Sequence, residues 1–175
     1  MRFVLALAAA TTIAIAAPAR AARADTDIDT DDSSRGADKG TLGVGIILGE
    51  PTGITAKLYL KDDEAIQAAV GSAFIGGGLQ LHADYVFHPY ILQTRPSFVL
   101  PLYVGPGLRL IDYTNGRDNS SFAIGARAVG GLLFDFKEVP LDAFIEVAGV
   151  LEYELQDGAG FGIKLNAGAG VRYYF

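Results

Sequence analysis

Phe161-Gly162-Ile163-Lys164-Leu165-Asn166-Ala167-Gly168-Ala169-Gly170-Val171-Arg172-Tyr173-Tyr174-Phe175 is the last stretch of the sequence, and its reading decides the fold. Every odd-numbered residue is apolar. The even-numbered ones are Gly, Lys, Asn, Arg and Tyr. A period of two is the pattern of a strand whose two faces meet different surroundings, whereas a helix would group its apolar residues at three and four.

Working upstream, the same alternation recurs seven times. Its apolar members are Leu42 to Leu48, Ile54 to Leu60, Ile66 to Phe74, Leu79 to Phe87, Phe98 to Leu110, Phe122 to Phe134 and Leu141 to Tyr153. Turn-forming residues separate the segments: Gly49-Glu50-Pro51, Lys61-Asp62-Asp63, Gly76-Gly77-Gly78, His88-Pro89, Asn115-Gly116, Lys137 to Pro140 and Asp157-Gly158. Connections this short force neighbouring strands to pair antiparallel, as an up-and-down meander. Pro101 and Pro106 fall inside the fifth segment, so that strand is either bulged or begins later.

The other end of the chain reads differently. Arg2, an apolar run to Ala17 and the small-residue pattern Ala22-Arg23-Ala24 make residues 1–24 a signal peptide, with Ala19-Arg20-Ala21 as a second cleavage candidate. Residues 25–39 carry six Asp and almost nothing apolar, so they are expected to be a flexible acidic leader without the spacing of a calcium loop. Residues 40–175 then form one domain. The net charge is −6, with no basic run, which argues against a nucleic-acid partner. The absence of Cys removes disulfides, thiolate catalysis and Cys-based zinc sites.

What the apolar face touches separates a soluble barrel from a membrane one. The opposite face holds Gly, Ala and Thr with single charges of both signs: Lys57, Arg109, Arg127, Lys164 and Arg172 against Asp84, Asp142, Glu146 and Glu152. A water-facing sheet would carry far more Lys and Glu. Small residues interleaved with paired charges suit a narrow barrel interior, so the apolar face is expected outside. Aromatics fall at both strand ends. Phe74, Tyr113, Phe122, Tyr153 and Phe161 mark one girdle, and Tyr85, Phe87, Tyr90, Phe98, Phe134, Phe136, Tyr173 and Phe175 the other. The expected fold is therefore all-β, an eight-stranded antiparallel up-and-down transmembrane β-barrel.

The final strand with its terminal Phe175 resembles the C-terminal signal of bacterial outer-membrane proteins that the barrel-assembly machinery reads. The chain from about Leu42 to Phe175 resembles small eight-stranded outer-membrane barrels such as the membrane domain of OmpA and OmpX. The stretch from Gly45 to Lys57 looks like a segment recurring in outer-membrane proteins of unassigned function. The resemblance implies a monomer in the outer membrane of a Gram-negative bacterium, with outer-membrane lipid and the assembly machinery as partners.

Eight strands leave an interior that side chains just fill. Inward glycines at 43, 45, 71, 105, 107, 125, 168 and 170 are expected to make room for Tyr59, Tyr103, Phe144, Tyr174 and the arginines, rather than to line a pore. Arg127 and Glu152 are expected to pair across the turn near Val139. Enzymes occur among small outer-membrane barrels, as acyltransferases and deacylases. Here His82 with Asp84 is the one candidate acid–base pair, since His88 should be solvated beside Pro89. Pairing His82 with Gly71 would leave Ser72 on the lipid face, so a nucleophile is missing. No catalytic residue, cofactor or metal is expected. The expected role is structural or envelope-associated, with a plugged lumen. The alternatives are a soluble periplasmic lipocalin-like barrel carrying an apolar ligand, and a narrow channel. Ile145→Arg separates the first two. On a lipid-facing wall it costs about 2–4 kcal/mol and impairs membrane assembly; in a soluble barrel it weakens ligand binding and leaves the protein soluble, as fractionation of the variant would show.

Overall fold

The computed structural model describes residues 39–73, 78–115, 119–155 and 160–175; the expected signal peptide, the leader before Lys39, Phe74 and the turns at 76–77 and 157–158 lie outside them. Eight strands follow one another: β1 (Leu42–Gly49), β2 (Thr52–Tyr59), β3 (Glu64–Ser72), β4 (Leu79–Thr94), β5 (Phe98–Asn115), β6 (Asn119–Phe136), β7 (Leu141–Glu154) and β8 (Phe161–Tyr174). Each pairs antiparallel with the next, and β1 pairs with β8 to close the barrel. Closure leaves no continuous free edge, which a sheet otherwise has to protect.

The alternation sorts the residues as expected. Leu42, Val44, Ile46 and Leu48 of β1, Ile145, Val147 and Leu151 of β7, and Ile163 and Leu165 of β8 are exposed on the outside, whereas Lys57, Asp84, Arg127, Asp142 and Arg172 are buried inside. The interior also holds apolar side chains beyond the expected Tyr103 and Phe144. Ile47, Ala65, Ala69, Val86, Tyr103, Val129, Leu133, Phe144 and Ala148 form an apolar cluster within it. Tyr113 also belongs inside and not to a girdle: it is buried with Ala73, Ile111 and Ala123, because it shares the phase of Arg109.

His88-Pro89 is not a turn. β4 runs through it to Thr94, and β5 begins at Phe98 as expected. The strain of the prolines is absorbed by β4, which contributes one extra residue between Phe87↔Val104 and Tyr90↔Leu102, and another between Ile91↔Pro101 and Gln93↔Leu100. The paired residues skip Leu100 and Pro101 on the β6 side and Gly105 and Pro106 on the β4 side. The two missing N–H donors thus face opposite neighbours, and the ladder is interrupted once on each side. The turn expected at Asn115-Gly116 falls between β5, which reaches Asn115, and β6, which starts at Asn119; Gly116 lies outside the described residues.

Glycine makes room for bulk. A Cβ on Gly131 would lie 2.5 Å from the Tyr103 hydroxyl, one on Gly170 2.6 Å from the Phe144 ring, and one on Gly43 2.7 Å from Tyr174. At Gly149 nothing lies within 4 Å. Gly131→Ala should therefore destabilise the folded barrel by about 1–3 kcal/mol through overpacking, while Gly149→Ala should be near neutral. Urea unfolding of the two variants in detergent checks the difference.

Candidate functional site

Period two sends most of the charged residues of β2 and β4 to β8 into one narrow lumen, where no water-rich surface solvates them. They satisfy one another in tiers, ordered along β7 by Glu152, Glu146 and Asp142. In the first tier Arg109 donates through Nη1 to Glu152 (2.8 Å) and through Nη2 to Gln80 (2.9 Å), and Tyr113 donates its hydroxyl proton to Glu152 (2.8 Å). Glu50, in the β1–β2 turn, folds over this end. Its carboxylate lies 3.8 Å from Arg109, and its carbonyl accepts from Asn166 at 3.2 Å.

The middle tier is built on Arg127. Its Nε donates to Asp84 (3.0 Å) and its Nη2 to Glu146 (2.7 Å), joining β4, β6 and β7 across the lumen. Gln67 donates to both carboxylates at 3.2 and 3.0 Å, and Tyr103 donates to Glu146 at 2.9 Å. In the third tier Arg172 donates to Asp142 (3.1 Å) while its guanidinium lies 4.0 Å above the Phe144 ring, and Tyr174 donates to the same carboxylate at 2.5 Å. Below it Lys57 sits over the rings of Tyr59 and Tyr103 and donates to His88 Nε2 at 2.9 Å. Lysine can only donate, so Nδ1 of His88 carries the proton that is donated to the Asp63 carbonyl (3.0 Å). At this end Lys39 pairs with Asp135 and donates to the Leu141 carbonyl at 2.6 Å. In the β2–β3 turn Lys61 donates to Glu64 at 3.0 Å, and that hydrogen bond raises its pKa above the ordinary lysine value.

Several expectations are corrected here. Arg127 does not pair with Glu152. The β6–β7 register sets Arg127 opposite Val150 and Glu152 opposite Gly125, so Glu152 is taken by Arg109 and Arg127 turns to Asp84 and Glu146. His82 pairs with Ala69, not Gly71, because the β3–β4 turn is closed by Ala73 donating to the Gly78 carbonyl; Ser72 is still exposed. His88 is half-buried and bonded rather than solvated. Lys164 is exposed at the rim, although its phase is inward. Gln67, Gln80 and Asn166 carry much of the network, and their inward phase was the signal that could have found them.

His82 is buried, with Nε2 3.9 Å from both Asp84 and Glu146, beyond hydrogen-bonding reach, so the expected acid–base pair is not made. These three residues could each offer an atom to a metal ion. Both carboxylates, however, already hold Arg127, which a cation would have to displace. Comparison of the chain with protein-family models, with curated proteins and with solved structures finds no match. Arg127→Met should leave two buried carboxylates without their cation and cost about 3–5 kcal/mol. Adding Asp84→Asn and Glu146→Gln should return a large part of it, read from urea midpoints of the refolded variants.

Proposed function

We propose that this protein is an outer-membrane β-barrel of a Gram-negative bacterium, built like the OmpA membrane domain and OmpX, with a structural or envelope-associated role and no enzymatic activity. In this reading residues 1–24 are the signal peptide, the barrel-assembly machinery recognises the strand ending at Phe175, and the barrel works as a monomer in outer-membrane lipid. The observation that carries the reading is the inverted polarity: a closed wall apolar on its outer face and charged within. Water around such a wall would meet far more contiguous apolar surface than the few hundred square ångströms a soluble monomer exposes. Lipid meets it at no cost. Exposed Phe122, Tyr153 and Phe161 near one end, and Phe87, Tyr90, Phe136, Tyr173 and Phe175 near the other, suit the two interfaces.

A soluble carrier of apolar ligands would need an apolar cavity. The lumen here is instead crossed by Arg109–Glu152, Arg127–Asp84 and Arg172–Asp142 contacts, which favours a plug over both a carrier and a conducting pore. Fractionation of the host envelope should recover the protein in the outer membrane, and unheated samples should migrate faster on gels than boiled ones. Recovery in the soluble periplasm would overturn the reading.

A further inference from the structure

The wall does not end level. β1 pairs with β8 only from Gly43↔Tyr174 to Gly49↔Gly168, and the Glu50 amide makes one more bond to the Ala167 carbonyl. β8 continues to Phe161, paired with β7 as far as Tyr153↔Phe161 but, among the described residues, with no strand on its other side. The seam between β1 and β8 is therefore open along the outer part of β8. The residues there are not those of a strand standing in water, because Phe161, Ile163 and Leu165 point outward and are 77%, 85% and 73% exposed.

Strand length places the gap. Eight residues of β1, tilted as barrel strands are, rise about 20 Å, short of the roughly 25 Å apolar band of a membrane barrel. Fourteen residues of β8 exceed it. By these lengths about 5 Å of the β8 stretch that β1 fails to reach lies inside the apolar band, next to the interface marked by Phe161, and there unpaired backbone cannot turn to water. Behind the gap is a cavity of about 340 Å³ lined by Glu50, Arg109, Tyr113, Lys164 and Asn166 from inside and by Ile163 and Leu165 from outside. Lys164 and the Glu50 carboxylate stand at it, with Arg109 buried behind them and bonded to Glu152 and Gln80. Lys164 is exposed and has no carboxylate partner among the described residues, the Tyr113 ring at 5.9 Å being its contact.

We infer that the β1–β8 seam is a lateral portal that admits the head of an anionic amphiphile, its carboxylate or phosphate held by Lys164 and its acyl chain lying along Ile163 and Leu165. The inference rests on the membrane reading above. Membrane lipid and free fatty acid share this chemistry and differ in source. Only the combination of a wall gap, an apolar lip and a lysine with no carboxylate partner among the described residues selects such a ligand; an apolar gap alone would take any acyl chain.

The chain contains no Trp, so a single Leu165→Trp reports on the portal and a single Ile145→Trp on the wall away from it. Each is reconstituted into phosphatidylcholine vesicles containing dibromostearate, its methyl ester or dibrominated phosphatidylglycerol. Half-quenching at Leu165→Trp should need about tenfold less of an anionic probe than of the ester, the size of one charge-assisted contact. Lys164→Glu and the milder Lys164→Gln should abolish that preference in chains that keep heat-modifiable mobility. Ile145→Trp should be quenched alike by all three probes. A preference for dibromostearate alone assigns the site to free fatty acid, one for the phospholipid alone to membrane lipid, and one shared by both to the charged head. Equal quenching by ester and anions at Leu165→Trp, or a preference that survives both Lys164 variants, overturns the portal while leaving the barrel in the membrane. No quenching at Ile145→Trp sinks the membrane reading and the portal with it.

Discussion

Arg127 reaching Asp84 on β4 and Glu146 on β7 is the contact on which the rest of the barrel depends. A wall that turns its apolar residues outward has to put something inside, and eight strands leave no room for bulk water there. The interior must be closed by side chains, and the charged ones are tolerated only if each finds its partner. Arg127 meets that condition with one partner on the adjacent strand, Glu146 of β7, and one two strands away, Asp84 of β4, and through Asp84 it ties strands that are not neighbours. Gln67 extends the tie, donating to Asp84 and Glu146 while its carbonyl accepts from Arg172 at 3.5 Å. Once these charges are paired inside, alternation sends Leu, Ile and Val outward without further instruction.

The same alternation explains how much of the molecule could be read from its sequence. Strand number, order and facing follow from period two alone, and β7 starts at the residue the pattern gives. Partners inside the lumen do not follow, because they depend on register, and shifting a register by two residues preserves every facing. The expected Arg127–Glu152 pair failed this way. Both side chains point inward, yet Glu152 stands opposite Gly125 and is claimed by Arg109 from β5, a strand no local reading brings near. Tyr113 is a different kind of miss. Its place at a strand end suggested an interface, but its phase, the same as that of Arg109 and Ile111, was already legible and puts it inside. The bulges in β4 were only half legible: Pro101 and Pro106 announced an irregularity, but the extra residues sit on the strand opposite Pro101. A proline removes one donor, and the partner strand can bend around the gap at less cost than the proline strand itself, whose φ is locked.

The two ends of the lumen are closed unequally. At one end Lys39 enters from outside the barrel strands, pairs with Asp135, bonds to the Leu141 carbonyl and lies over Tyr174, so the chain itself supplies the stopper. At the other end the Glu50 turn covers Arg109 and Asn166 but stops where β1 stops, and β8 goes on without it. A barrel whose interior is filled by its own side chains leaves space beside the plug where the wall stops short of it. Here that place is the step at the β1–β8 seam, where Lys164 has inward phase but no wall opposite to bury it. The short β1 that makes Lys164 exposed is the same feature that opens the cavity beside it, so charge and access arise from one cause.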